Sequence, residues 1–412
     1  MRKYSKYLNI LAITLIFIFT CSTISISKVS AQDAKEGMDA KTEPTKALDT
    51  ANAADNKKDE KATDNKKDGK KDEKKWYDKT EISAETFLHY GFKAMVNGEK
   101  GNSNDFNVDR VYLNFKSKPV DKLSIRVTSD VETSGDDYRE LYLKYAYASY
   151  TVANNINATF GLQATHWVGY VDGFWGYRFF MKSLTDNTGV QSSADVGFSI
   201  STGTKKSERI ADILDLWVGI INGAGYKKFE ASTKSLKNPA VRVGVTPIDN
   251  DQMVMGIAVG YMYDFNKGED TDFDGNDTDN NIEHIVTGLL RFEMKKLFYF
   301  HVEGMYGQLD KDTDTDTGNN DKTTKYMGIS VVGIFNAVPD LLDVVGRFDM
   351  YNPDLDADPK KTYMTAVGGI NYKVDKKMLW VMPNVKCSWE SVDKQDKKNT
   401  NLSINLDVQA KF

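Results

Sequence analysis

The chain has 412 residues, 27% of them charged, with a mean hydropathy of -0.50, which argues against a bundle of membrane-spanning helices. A formal net charge of -5 with no basic stripe gives no support for nucleic-acid binding. Two cysteines, Cys21 and Cys387, exclude a disulfide framework, and four histidines show no metal-ligand spacing.

Arg2, Lys3 and Lys6 precede an apolar run from Leu8 to Thr20, and Val29-Ser30-Ala31 ends in small residues. This pattern predicts a secretory signal peptide over 1–31. A competing reading makes Cys21 a lipid-modified first residue, but Thr20 stands where a small residue is expected. Residues 32–75 hold 12 Lys against 12 Asp and Glu, no aromatic, and Asp-Asn-Lys-Lys-Asp at both 55–59 and 64–68. Such a segment buries too little surface to offset its ordering entropy. It predicts a disordered Lys/Asp-rich periplasmic tether, serving either as cell-wall contact or as plain spacer.

From Trp76 a period of two sets in, the mark of strands with one apolar and one polar face. The predicted strands are 86–97, 106–117, 122–132, 139–151, 156–166, 194–203, 212–222, 238–247, 252–264, 282–293, 296–308, 324–336, 341–351, 362–373, 377–391 and 400–412. The weakest is 377–391, where Pro383 lacks a ladder donor. The clearest is the last: Leu402, Ile404, Leu406, Val408, Ala410 and Phe412 oppose Asn401, Ser403, Asn405, Asp407, Gln409 and Lys411.

Connection lengths sort by parity. The even-numbered ones, such as 117–121, 152–155, 247–251, 294–295, 336–340 and 374–376, are short, with 204–211 somewhat longer. The longest, 167–193, 265–281 and 309–323, are all odd-numbered. A soluble sandwich has no reason to alternate in this way. A barrel with short periplasmic turns and long outer loops does. The expected fold class is therefore all-β, a transmembrane antiparallel up-and-down β-barrel of about 16 strands over 76–412, in the outer membrane.

The third outer loop, 167–193, carries Trp167, Tyr170, Phe174, Trp175, Tyr177, Phe179 and Phe180, with Arg178 and Lys182. A loop exposed to water should not be this aromatic. It is expected to fold inward and narrow the lumen, with Trp175, Arg178 and Lys182 at the constriction. Strand parity turns Arg110, Arg126, Lys144, Arg242, Arg291 and Arg347 inward, with Asp130, Asp215, Glu303 and Asp349. These are expected to line water and to face one another across a narrow passage, or else to form ordinary wall ion pairs.

With four positives in the signal peptide and a neutral 32–75, the formal charge leaves -9 for 76–412. Loops 265–281 and 308–323 contribute -5 and -3, so acidity belongs to the outer vestibule. Asp270, Asp272 and Asp274 before Gly275 match the opening of a calcium loop, but Asn281 stands where the closing Glu belongs. The reading is a solvated acidic loop, with structural calcium as the alternative and no other cofactor. No nucleophile elbow or phosphate-cradling glycine loop is present, and outward-facing His284 has no evident Ser partner, so no enzyme is expected.

Several short stretches resemble the phosphate-selective porin O and P family, and general porins more broadly. They are Phe106 to Phe115, Phe160 to Gln163, Ser193 to Phe198, Asn222-Gly223, Val345 to Asp349 and Gly369 to Tyr372. The resemblance implies a trimer of 16-stranded barrels passing small hydrophilic solutes, with the C-terminal strand read by the barrel-assembly machinery. It does not imply phosphate selectivity, because the wall is mixed in sign. The expected function is passive diffusion of small hydrophilic solutes or ions. The alternative is a surface structural or adhesive barrel with a plugged lumen.

Overall fold

A computed structural model describes residues 79–97, 99–133, 139–228, 237–265, 282–311, 322–393 and 399–412. The expected signal peptide and tether lie outside the described residues, as do Asp270, Asp272, Asp274 and most of both acidic loops.

Sixteen antiparallel strands close into one barrel, each paired with its sequence neighbours. They are β1 (Thr80–Val96), β2 (Glu99–Val120), β3 (Leu123–Thr133), β4 (Arg139–Ala153), β5 (Ile156–Ala164), β6 (Ala194–Ser201), β7 (Leu214–Ile221) and β8 (Asn238–Asp249). The second half is β9 (Met253–Phe265), β10 (Ile282–Met294), β11 (Phe298–Lys311), β12 (Lys322–Val338), β13 (Leu342–Asn352), β14 (Lys361–Asp375), β15 (Leu379–Val392) and β16 (Asn399–Lys411). Short turns sit where an αL residue is needed: Asn155 has φ 63° and Asp340 φ 64°, conformations these side chains tolerate.

One expectation is corrected. Residues 99–105, expected to be a loop, belong to a 22-residue β2 that pairs with β1 from Val96↔Glu99 onward. The strand around Pro383 forms as expected, as β15. Its pairing with β16 is continuous, and the ladder to β14 instead skips from Asn384 to Val381, so the missing donor falls on one side only.

The outer face is apolar around the ring. Leu113, Phe160, Val218, Ile257, Ile370 and Ile404 are all exposed, each on a different strand. A patch of this extent requires a bilayer, and a closed antiparallel barrel leaves no unpaired edge within it. The closing seam pairs β1 with β16 from Glu85↔Lys411 to Met95↔Leu402. Ala84 N donates to Phe412 O at 2.7 Å, and Phe412 N donates to Ala84 O at 3.0 Å. The Phe412 side chain remains 73% exposed on the outside. Deleting Phe412 removes both bonds and the outward ring. The expected result is a several-fold lower yield of membrane-inserted, heat-modifiable barrel, and unchanged insertion would contradict it.

Two bulges place extra residues in the lumen. Phe87 pairs with Arg110 and Leu88 with Val108, leaving Asp109 over. Thr128 pairs with Tyr145 and Ser129 with Leu143, leaving Lys144 over. A bulge re-aims a side chain in this way while the flanking ladder keeps its hydrogen bonds.

Candidate constriction site in the lumen

The third loop starts at Thr165 and re-enters the wall at Ala194. It folds into helix α1 (Val168–Trp175) and one turn, α2 (Leu184–Asn187). Gly176, with φ 72°, ends α1 in the left-handed conformation that glycine adopts without steric cost. Arg178 then reaches back to the Asp172 carboxylate of α1, and its other Nη lies 2.6 Å from Asp186 of α2. One guanidinium thus staples both helical pieces together. Burial opposes its charge, but Asp172 and Asp186 hold it protonated. Burial pushes the Asp172 carboxyl up, whereas at Asp186 burial is overcome by Arg178 and Lys182, which hold it below its ordinary value.

The loop is docked against the wall by apolar surface. Trp175, Tyr177, Phe179 and Met181 pack on Val332, Ile334, Val345, Val367 and Met382 of β12–β15. Leu184 and Val190 pack on Ile285, Met305 and Met262. Trp167 and Val171 pack on Ala258 and Leu289. Each fully buried aliphatic or aromatic side chain contributes about 1.5–3 kcal/mol. The lumen therefore contains a hydrophobic core along β9–β15.

Polar anchors fix the loop's position. The fully buried Glu303 carboxyl accepts from Trp167 Nε1 at 3.0 Å, Leu184 N at 2.9 Å and Thr185 Oγ1 at 3.3 Å. Arg347 donates to Lys182 O at 2.7 Å, and Arg242 to His166 O at 2.5 Å. Tyr177 OH donates to Asp343, which also lies 2.7 Å from Lys373 Nζ. Three wall arginines are capped by loop rings: Arg242 over Tyr170 at 4.0 Å, Arg291 over Phe174 at 3.7 Å and Arg347 over Trp175 at 5.4 Å. Cation–π contacts gain strength when desolvated, as these are.

This geometry corrects the expectation of charges facing one another across water. Parity did turn them inward, but they pair along the wall. Arg110 donates to Asp130 at 2.6 Å and Glu132 at 2.8 Å, Arg242 contacts Asp215 at 3.4 Å, and Arg347 grips Asp349 through two 2.8 Å bonds. Lys144 lies 3.8 Å from Asp130, among Tyr112 and Tyr226. Arg126, half-buried, donates to Asn114 and Thr128 at 3.0 Å. Glu303 holds the loop instead of meeting lumen water. Of the three loop residues singled out, Trp175 is buried and Arg178 is largely covered, and both are structural members. Lys182 retains about a third of its side-chain exposure, 3.8 Å from Glu132.

Sequence reasoning missed Asp172, Asp186 and Asp343 as anchors. Asp343 shares the parity of Arg347 and Asp349, so the same rule reaches it. It also missed the inward apolar residues. The near-continuous run Ile329 to Phe335 of β12 was the available signal, since strands buried on both faces lose their alternation.

The opposite arc of the wall is open. Ser124, Tyr147, Ser149, Asn157, Thr159, Gln163, Ser199 and Ser201 of β3–β6 line a cavity of about 590 Å³ beneath α1, with Trp217, Tyr170 and Arg242. It extends to the short-turn end at Lys118, Asp121, Lys122 and Asn155. Its wall is rich in hydroxyl and amide groups, in contrast to the apolar arc that carries the loop.

Closed antiparallel wall, apolar belt and inserted third loop together define a 16-stranded outer-membrane β-barrel. No protein-family model and no curated protein matches the sequence. Among solved structures, the chain is similar to OmpT, an outer-membrane protein of Vibrio cholerae, at 11% identity and TM-score 0.54, over 81% of this chain and 97% of that one. The outer-membrane channel DcaP of Acinetobacter baumannii is similar with the same four values. An anion-selective porin from Comamonas acidovorans is similar at 12% identity and TM-score 0.52, over 81% of this chain and 99% of that one. At these identities the likeness is one of fold.

Proposed function

We propose that this barrel is a passive outer-membrane channel for small hydrophilic solutes, narrowed by the third loop. The observation that carries the reading is the polar cavity along β3–β7, which runs from the short turns to the underside of α1. Hydroxyl and amide groups there can exchange hydrogen bonds with a passing solute or its water. The sequence resemblance to the porin O and P family supports the same reading and adds the homotrimer. Phosphate selectivity is not part of it, since Arg242, Arg291 and Arg347 are covered by loop rings. On this reading the protein is a channel and not an enzyme.

A second reading, a structural or adhesive barrel with a plugged lumen, is favoured by one specific observation: the loop is docked through three apolar clusters. Planar-bilayer recording separates the two. Stepwise ohmic openings from the refolded protein support the channel, and a reversal potential under a salt gradient then gives its ion preference. A folded, heat-modifiable barrel that stays electrically silent overturns it.

A further inference from the structure

The luminal side of the closing seam carries a cluster that the loop does not use. His89 of β1 and Asp407 of β16 are direct register partners, with His89 Nδ1 2.7 Å from Asp407 Oδ1. Asp109 of β2 joins them as the extra residue of the bulge opposite Phe87 and Leu88. One ligand atom from each of the three lies within 4.8 Å of the others. We propose that His89, Asp109 and Asp407 form a binding site for a first-row divalent cation of the Zn²⁺ class, fastening β16, β1 and β2 together.

Three features carry this. The first is the donor set. One imidazole nitrogen and two carboxylates supply the ligands Zn²⁺ takes at about 2.0–2.2 Å, and water completes a tetrahedral shell. The second is orientation. Asn107 Nδ2 donates to Asp109 Oδ1 at 2.8 Å, and Asn384 Nδ2 donates to Asp407 Oδ2 at 2.6 Å. Each carboxylate thus has one oxygen held by an amide, the outer-shell arrangement that fixes metal ligands. The third is charge. Asp130, Asp215, Asp343 and Asp349 are each paired with Arg or Lys at 2.6–3.4 Å. The ion-pair partner of Asp407 among the described residues is the His89 imidazole, and Asp109 has a ligand atom within 4.8 Å of both; Arg110 and Lys386 reach these carboxylates only as longer-range charges, so a dication can neutralise the pair.

The test uses the full chain refolded in detergent micelles, stripped with EDTA and titrated with Zn²⁺ by calorimetry. The expected result is one saturable Zn²⁺ per chain that disappears in Asp109→Asn, together with a higher unfolding temperature in the wild type. Asn384→Ala, which removes only an orienting partner, should weaken Zn²⁺ by about 10- to 100-fold. Heat-modifiable migration in EDTA establishes that both variants fold. Absence of saturable binding, or equal affinity in wild type and Asp109→Asn, overturns the site. It would leave a His89–Asp407 hydrogen bond that merely buttresses the seam.

Discussion

Replacing Glu303 with Ala should undock the third loop and raise single-channel conductance while the barrel stays folded. The Glu303 side chain is fully buried and accepts hydrogen bonds from three loop donors, Trp167 Nε1, Leu184 N and Thr185 Oγ1. Truncation strands all three in a dry site. Each buried unsatisfied donor costs about 1–3 kcal/mol, so docking loses about 3–9 kcal/mol if the three costs add. The barrel ladder does not pass through this side chain, so heat-modifiable migration should persist. Glu303→Gln keeps the volume but turns an amide donor toward donors, and should fall between wild type and Ala. Planar-bilayer recording checks both. Unchanged conductance and noise in Glu303→Ala would show that the carboxyl does not hold the loop.

Acidification should loosen the same loop through His166. This imidazole sits at the loop's entry, fully buried, 5.7 Å from the Trp217 ring, with neither ring nitrogen hydrogen-bonded among the described residues. Burial, and then Arg242, push its pKa down from 6.5 to about 3. An undocked His166 regains its ordinary value. Between those two values the undocked loop binds more protons, so docking is fully favourable above pH 6.5 and weakens as pH falls. Within that window the slope is on the order of 1 kcal/mol per pH unit. Asp172 acts in the opposite sense. Its carboxyl is raised by burial, so the docked loop takes up a proton more readily there. The difference between wild type and His166→Phe isolates the imidazole. Tryptophan emission and channel noise should respond to acid in the wild type much more than in the variant. An identical pH response in both would exclude His166 as the cause.

Much of the fold was legible in the sequence, because a barrel wall separates lipid from lumen at every second residue. That rule placed Leu406 outside and Asp407 inside, and the connection lengths supplied the orientation. The site was legible only in part. Parity turned Arg242, Arg291 and Arg347 inward, but nothing in their own strands announces Tyr170, Phe174 and Trp175 as partners, since these arrive from a distant loop. The loop's aromatic content signalled burial without saying against what. The receiving surface, Val332, Ile334, Val345 and Met382, is obscured because apolar residues on both faces erase the alternation. Bulges weaken parity without always defeating it. Asp109 is one residue out of step with a regular ladder, and only the pairing register reveals where it aims, whereas Lys144 sits on a bulge and was still turned inward by parity.

The loop rests mainly on β9–β15 and leaves the polar cavity along β3–β6 open, and this lopsidedness bears on how such a protein can evolve. Foundations and passage occupy different strands. Exchanging Ser149 or Ser201 alters what a solute meets, without touching the surface on which α1 stands. Exchanging Val332 or Val345 disturbs the loop before it changes any chemistry along the open arc. One arc of the circumference is therefore free to drift toward new cargo, while another is held by the demands of its own interior.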